Sequence, residues 1–285
     1  GSCNGLQHYG AMLRDPRGGV SVNLTNSQLP ADVYGDVARE FRRLLNDRSS
    51  DPLAAQLLQL QPDRKATKRP VMTLPYGSTQ QSCRAYLMDW LEDVIGTGER
   101  KELWPLAVYG TPILWEAIGN VVIAARGAMD WLQTCSSLVA AKGKFAHWMS
   151  PADFPVYQHY AERENVQIAT DLFGRVRINL EGGIVGVNKT RARNGVSPNF
   201  VHAMDASHMV MVINEAKERG MTSMAMIHDD FGVHACDIPE YNDVIRITFV
   251  RMYYERDWLQ AWKKEIERLD EDLELPEPPK MGDLD

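Results

Sequence analysis

The sequence predicts an α/β fold that is mostly helical, and three observations carry that prediction. Apolar residues recur at three- and four-residue steps from Asp32 to Asn46 and again through the middle of the chain, the period of an amphipathic helix. Strand-like alternation follows in "VQIATDLFGRVRINLEGG", centred on Gly174. Near the end, "MTSMAMIHDDFGVHACD" reads as a strand, an Asp-Asp turn and a second short strand.

Taken in order, "SQLPADVY" supplies capping and proline residues for the first clear helix, over 32–46. Further helical blocks are expected over about 82–94 and over 111–142, the second broken near Gly119 and Gly127. The β-rich segment after "GKFAHWMSPADFPVYQHY" predicts a hairpin projecting from a helical body, a shape suited to binding. A helix from about Asn199 should stop at Gly220, after Lys-Glu-Arg. A charged helix from Pro239 to about Asp272 closes the chain. No internal repeat, low-complexity linker or compositional domain boundary is evident.

A chain of 285 residues, 44% hydrophobic, can bury a real core and is not disordered. Its net charge is −7, but residues 265–285 alone hold nine acids and two bases, which leaves 29 of each sign elsewhere. Charge therefore neither demands nor forbids a nucleic-acid partner, because binding depends on local patches. Cys3, Cys83, Cys135 and Cys236 are scattered, with no CxxC pair, so a reduced cytosolic setting is the expectation. The most apolar stretch, Val121 to Ala125, is too short to span a bilayer, and a soluble protein is expected.

Three constellations can carry chemistry, and a fourth only imitates one. In "RKATKRPVMTLPYGS", Arg64, Lys68, Met72 and Tyr76 recur every fourth residue, which places them on one helix face with cations at one end and an aromatic ring at the other. Twelve residues of helix span about 18 Å, enough for a triphosphate with room for a base. A plain solvated basic helix fits the same pattern, and Pro70 implies a kink or a register that is only approximate. In "MAMIHDDFGVHA" the strand alternation lifts Asp229 and Asp230 to a hairpin tip, where a carboxylate can serve a divalent metal; an ordinary turn is the bland alternative. "NFVHAMDASH" puts His202, Asp205 and His208 on one helix, though without the i, i+4 histidine spacing of a metal site, and packed or surface histidines would look alike. "GIVGVNKT" imitates a phosphate loop, but Asn188 stands where glycine is needed, and a β-rich rather than strand-to-helix context is expected there.

Order binds these signals together. "GSCNGLQHYGAMLRD", "RKATKRPVMTLPYGS", "AHWMSPADFPV", "SPNFVHAMDASH" and "IHDDFG" together resemble, over nearly the whole chain, the single-subunit RNA polymerases of T7-like bacteriophages and of mitochondria, and the short connections look more phage-like than mitochondrial. The resemblance implies a right-handed polymerase hand: palm over 1–28, fingers over 29–202 with a promoter-specificity hairpin at 160–180, and palm again over 203–285. It implies DNA-templated transfer of ribonucleotides by a two-metal Mg²⁺ site. By the same resemblance Arg64 and Lys68 would hold the triphosphate, Lys68 would also assist proton transfer to the leaving pyrophosphate, and Met72, Tyr76, Gly77, Tyr34 and Gly5 would form the nucleotide pocket. Asp229 would bind metal, with His228 beside it, whereas Asp230 stands where relatives vary. His202 would touch nucleic acid near the primer end, and Gln167, Ala169, Arg177 and Asn179 would read promoter bases. Arg and Asn suit guanine and adenine edges, while Ala169 can offer only apolar contact.

The expected partners are promoter DNA, an RNA:DNA hybrid, ribonucleoside triphosphates and an upstream polymerase segment or subunit; the expected setting is the cytoplasm of an infected bacterium. The family's first palm motif carries an aspartate just before the GSC with which this chain begins, so the chain alone should be nearly inert. A fragment of a longer chain is the first reading, and a naturally split polymerase the alternative. Related DNA polymerases share the Arg-x₃-Lys-x₇-Tyr-Gly pattern but place glutamate where Gly5 stands; glycine is expected to leave open the space for a ribose 2′-hydroxyl. A non-catalytic DNA-binding or structural half is the remaining possibility.

Overall fold

A computed structural model describes residues 4–96, 100–171, 174 and 176–284. Gly1 to Cys3, which open the first expected motif, lie outside the described residues. The chain begins with α1 (Asn4–Met12) and α2 (Pro16–Ser21), followed by α3 (Val33–Asn46), α4 (Pro52–Gln59) and α5 (Arg64–Thr73). α6 (Gln80–Ile95), α7 (Arg100–Val121) and α8 (Ile123–Ala141) complete the helical middle. Two antiparallel hairpins come next, β1 (His147–Met149) with β2 (Pro155–Tyr157) and β3 (Ala161–Thr170) with β4 (Val176–Val187). The long α9 (Lys189–Glu218), the hairpin of β5 (Met224–Ile227) and β6 (Asp230–Val233), then α10 (Ile238–Tyr254) and α11 (Trp258–Glu267) end the fold. The mostly helical prediction holds, and among the described residues the strands form three separate two-stranded sheets.

Aspartates set several helix starts. Asp15, Asp51 and Asp63 each accept a hydrogen bond from the amide two residues on, satisfying a donor that the first helical turn leaves unpaired. In the first two cases proline follows immediately, at the position where its missing N–H costs nothing. The helix α5 runs on through Pro70, which is buried, and passes into a 3₁₀ turn over Leu74–Tyr76. Gly77 ends that turn with φ +86°, a left-handed conformation that glycine adopts without strain.

Several boundaries differ from expectation, among them the start of the middle block, which lies at Arg100 and not at 111. The break in the middle block falls at Val122, between Gly119 and Gly127, and α7 and α8 meet there at 102°. Among the described residues no single helix is long and apolar enough to cross a membrane, and both members of this bent pair bury residues in the core. The helix expected from Asn199 begins ten residues earlier, because Asn188 caps it by accepting from the Arg191 amide at 2.9 Å and Pro198 is carried inside. "GIVGVNKT" therefore does pass from strand into helix, contrary to the sequence reading, but through the single residue Asn188 and not through a glycine loop. The closing helix is two: α10 ends at Tyr254, and Asp257 starts α11 by accepting from Gln260.

One apolar cluster draws on most of the helices, with Phe41, Leu114, Phe200 and Trp262 nearly sealed from solvent. Trp262 packs edge-on against Trp131 and Trp148 at 5.6 and 6.1 Å between ring centres. A second, small cluster of Val212, Ala216, Met221, Tyr241 and Val244 seats the β5–β6 hairpin through Met224, Phe231 and Val233. Tyr160 anchors the β3–β4 hairpin: its hydroxyl accepts from Asn199 at 2.9 Å, and a β-carbon at Gly195 would collide with its ring. Truncating Phe41, which meets α7 at Gly110, should lower unfolding free energy by about 3–5 kcal/mol in a urea titration of Phe41→Ala, the usual result of emptying a packed aromatic site.

Candidate nucleotide site

The site is built where α1 crosses the end of α5. Gly5 permits the crossing: a β-carbon there would stand 2.7 Å from Pro75 Cβ and 3.2 Å from Tyr76 Cζ. A side chain at this position would meet the Leu74–Tyr76 turn, and Gly5 also lines the adjoining cavity. A larger residue would push α1 and the turn apart.

Tyr76 is half-buried and stacks on His202 of α9, with 4.7 Å between ring centres and 23° between planes. Burial pushes its phenol up, the hydrogen bond with Asn4 opposes that, and the charges of Asp205 and Asp229 add to it, so the hydroxyl stays protonated at neutral pH. Asn4 in turn donates its side-chain amide to Asp205 Oδ1 at 2.9 Å. His8 Nε2 lies 3.6 Å from the same oxygen, an ion-pair distance rather than a hydrogen bond, and His8 Nδ1 shares a 2.5 Å hydrogen bond with the Tyr253 hydroxyl. Burial works against the charge on Asp205, but His8 and Asn4 outweigh it and hold the carboxyl below the usual range.

Asp229 reaches the same place from the other end of the chain. In the β5–β6 register Ile227 pairs with Asp230, which leaves His228 and Asp229 as a two-residue turn. His228 takes φ +56°, a conformation few non-glycine residues adopt. Asp229 is exposed and, with Asn4, Gly5, Met72 and Tyr76, lines a cavity of about 210 Å³. Asp230 starts β6 beyond the turn and is absent from that lining. His202 sits close to this turn; burial and the neighbouring His228 push its imidazole below 6.5, and Asp205 opposes them.

Beyond the cavity, α5 presents Arg64, Lys68 and Met72 as one exposed stripe while Ala66, Thr67, Pro70 and Val71 face inward. Arg69 is taken up by Asp89 at 2.9 Å and lies over Tyr86, whereas Lys68 has no ion-pair partner among the described residues. Tyr34 is buried, beneath the Arg64 guanidinium at 5.0 Å, and is not part of the cavity lining. Gly77 packs toward Pro198 of α9.

The four expected base-reading residues stand together on the other hairpin. Gln167 pairs with Asn179, and Ala169 with Arg177, so all four occupy one face of β3–β4 and all are exposed. Gln167 donates to Asn179 at 3.2 Å. The opposite face is apolar and also exposed, with Val166, Ile168, Val176, Ile178 and Leu180. None of the four lines the Tyr76 cavity. A larger cleft of about 590 Å³, bounded by Met149, Glu255, Arg256 and Lys264, holds charges of both signs and none of the expected residues.

A family model described as DNA-dependent RNA polymerase matches residues 1–283. The chain belongs to that family. "DNA-directed RNA polymerase 3, chloroplastic" of Nicotiana sylvestris is 35% identical over the whole of this chain, and "DNA-directed RNA polymerase 2, chloroplastic/mitochondrial" of Arabidopsis thaliana is 34% identical. The chain spans 29% and 28% of those two relatives. It spans 86% of "DNA-directed RNA polymerase 2A" of Nicotiana tabacum, at 34% identity. The resemblance to single-subunit polymerases is thereby borne out. The infected bacterial cytoplasm expected as its setting is overturned, since two of these relatives carry plant organellar designations.

Asn4, His8 and Tyr253 were not singled out by the sequence. The spacing of Asn4 and His8, one helical turn apart, is the only local trace of their shared partner.

His208, one turn beyond Asp205, supplies a test of the buried network. Its Nε2–H is shared between the Ile245 carbonyl at 3.0 Å and Thr248 Oγ1 at 3.1 Å, and burial pushes its pKa down to about 4. As pH falls below about 6.5 the unfolded chain takes up a proton that folded His208 refuses, so stability should fall progressively until pH nears 4. Urea titrations should show a loss of a few kcal/mol across that window, and His208→Gln should flatten the slope.

Proposed function

We propose that this chain carries the nucleotide-addition site of a DNA-directed RNA polymerase, with palm elements over 1–28 and 203–285 and fingers over 29–202. The observation that carries the proposal is the cavity in which Gly5, Met72, Tyr76 and Asp229 meet from three distant parts of the sequence. An aromatic floor, an exposed stripe of cations and an exposed carboxylate are the parts that a nucleoside triphosphate requires.

In this proposal Lys68 and the Arg64 guanidinium hold the triphosphate, and Tyr76, supported by His202 and Asn4, takes the sugar and base. The RNA 3′-hydroxyl attacks the α-phosphorus and loses its proton to solvent; the new O–P bond forms as the α–β bridge breaks, and Lys68 gives a proton to the departing pyrophosphate. Asp229 would be one ligand of Mg²⁺, which takes few protein carboxylates and otherwise binds phosphate oxygens and water. When bound, Mg²⁺ supplies charge stabilisation at the attacking and leaving oxygens. Its exposed position at a turn tip suits that role. No group of three or more His, Cys, Asp or Glu able to hold a metal occurs among the described residues, so the proposal needs a further carboxylate from polypeptide outside them. The polar face of β3–β4 would read promoter DNA through Gln167, Arg177 and Asn179, with Ala169 giving apolar contact.

Primer extension on an RNA:DNA scaffold tests this, using the chain alone and with an upstream polymerase polypeptide. Extension that appears on complementation and falls to background with Asp229→Asn is the expected result. No extension, although the two pieces associate, would overturn the catalytic assignment.

A further inference from the structure

Asp32 does something unusual for its position. It stands at the N-cap of α3, where an aspartate ordinarily accepts a hydrogen bond from the first turn of its own helix, as Asp15, Asp51, Asp63 and Asp257 do. Asp32 makes no such bond. Both of its carboxylate oxygens instead take the Nε–H of Arg64, at 3.1 Å each, across to α5. Gly35 makes space for that arrangement, because a β-carbon there would stand 2.9 Å from Asp32 Oδ2.

The guanidinium is held from a second direction. Its central carbon lies 5.0 Å over the ring of Tyr34, which is buried, and the Tyr34 carbonyl accepts from Thr67 Oγ1 at 2.7 Å. Thr67 is almost one turn beyond Arg64, so the aromatic support and the arginine are fixed to each other through the backbone. An exposed ion pair contributes little to stability, and both partners here are more than two-fifths exposed. Stability is thus a poor account of why α3 gives up its cap.

Orientation is a better account. With Nε committed to Asp32, the two Nη groups have no hydrogen bond among the described residues. A planar fork presented edge-on is the geometry that grips two oxygens of a phosphate, and Lys68 stands one turn further along the same exposed stripe. We infer that Asp32 is a positioning residue: it holds Arg64 against Tyr34 so that the Nη fork meets the β and γ phosphates of an incoming ribonucleotide. This rests on the nucleotide site proposed above.

The test is equilibrium binding of fluorescently labelled ATP with Mg²⁺ to the whole chain, followed by anisotropy, with labelled AMP as the comparison. Asp32→Ala and Asp32→Asn should weaken ATP binding on the order of tenfold, the loss expected for a disordered charge-assisted contact, and leave AMP binding unchanged. Asp32→Glu should recover part of the loss, and Asp32→Ala combined with Arg64→Ala should bind no more weakly than Arg64→Ala alone. Unfolding midpoints close to wild type would show that the fold is intact. ATP binding that is unchanged or tighter in Asp32→Ala, while Lys68→Ala weakens it, would overturn the inference and leave the nucleotide site standing. A wild-type chain that is folded and binds no ATP would overturn both.

Discussion

The proposed nucleotide site depends on a polar contact between two residues 201 positions apart, the hydrogen bond from Asn4 to Asp205. It ties the first helix to the long helix α9 directly beneath Tyr76. A carboxylate this deeply buried is costly unless it is paired, and His8 and Asn4 are the groups that make it tolerable. Once that link is made, Gly5 can rest against the Leu74–Tyr76 turn, and Tyr76 is pinned between Asn4 and the ring of His202. The floor of the cavity is therefore set by packing and by a buried charge network before any ligand arrives, which is the kind of preorganisation that phosphoryl transfer relies on.

Around that floor, the three moving parts of the chemistry are held with different degrees of rigidity. The cationic stripe rides on a helix whose inner face is packed into the main core. Asp229 is carried by a two-stranded hairpin that rests on only a small cluster, and a sheet of two strands is marginal without such support. The β3–β4 hairpin stands further out still, paired along its length and exposed on both faces, with Tyr160 as its anchor to α9. The proposed phosphate contacts thus sit on a core-packed helix and the proposed DNA reader on a hairpin exposed on both faces, a common division between scaffold and recognition.

Much of this was legible in the sequence because it is local. The helix over 32–46 and the hairpin about Gly174 follow from periodicity or turn chemistry within a few residues, and so does the last hairpin, although its turn was read as Asp-Asp and the register instead makes it His228 and Asp229, with Asp230 in β6. The four-residue recurrence survives in the structure for Arg64, Lys68 and Met72 as one exposed stripe, even though Pro70 lies inside the helix, while Tyr76 falls in the 3₁₀ turn beyond it. What could not be read is what depends on distant partners. Asn4, His8 and Tyr253 look ordinary until α9 and α10 bring Asp205 and Tyr253 to them, and nothing near Gly5 in sequence shows that it is also a point of contact. The double helix at the end of the chain was missed because charge patterning runs unbroken across residues 255–257, and only the Asp257 cap reveals the restart.

The central claim is that the cavity between Tyr76 and Asp229 receives a metal-bound ribonucleotide. The most direct measurement is a crystal structure of the chain grown with Mn²⁺ and a non-hydrolysable ribonucleoside triphosphate, with the ion located by its anomalous signal. The account predicts Mn²⁺ at ligand distance from the Asp229 carboxylate, phosphates reaching Lys68 and the Arg64 fork, and the base or sugar against Tyr76. A triphosphate bound elsewhere, or Mn²⁺ bound away from Asp229 with the cavity empty, would contradict it.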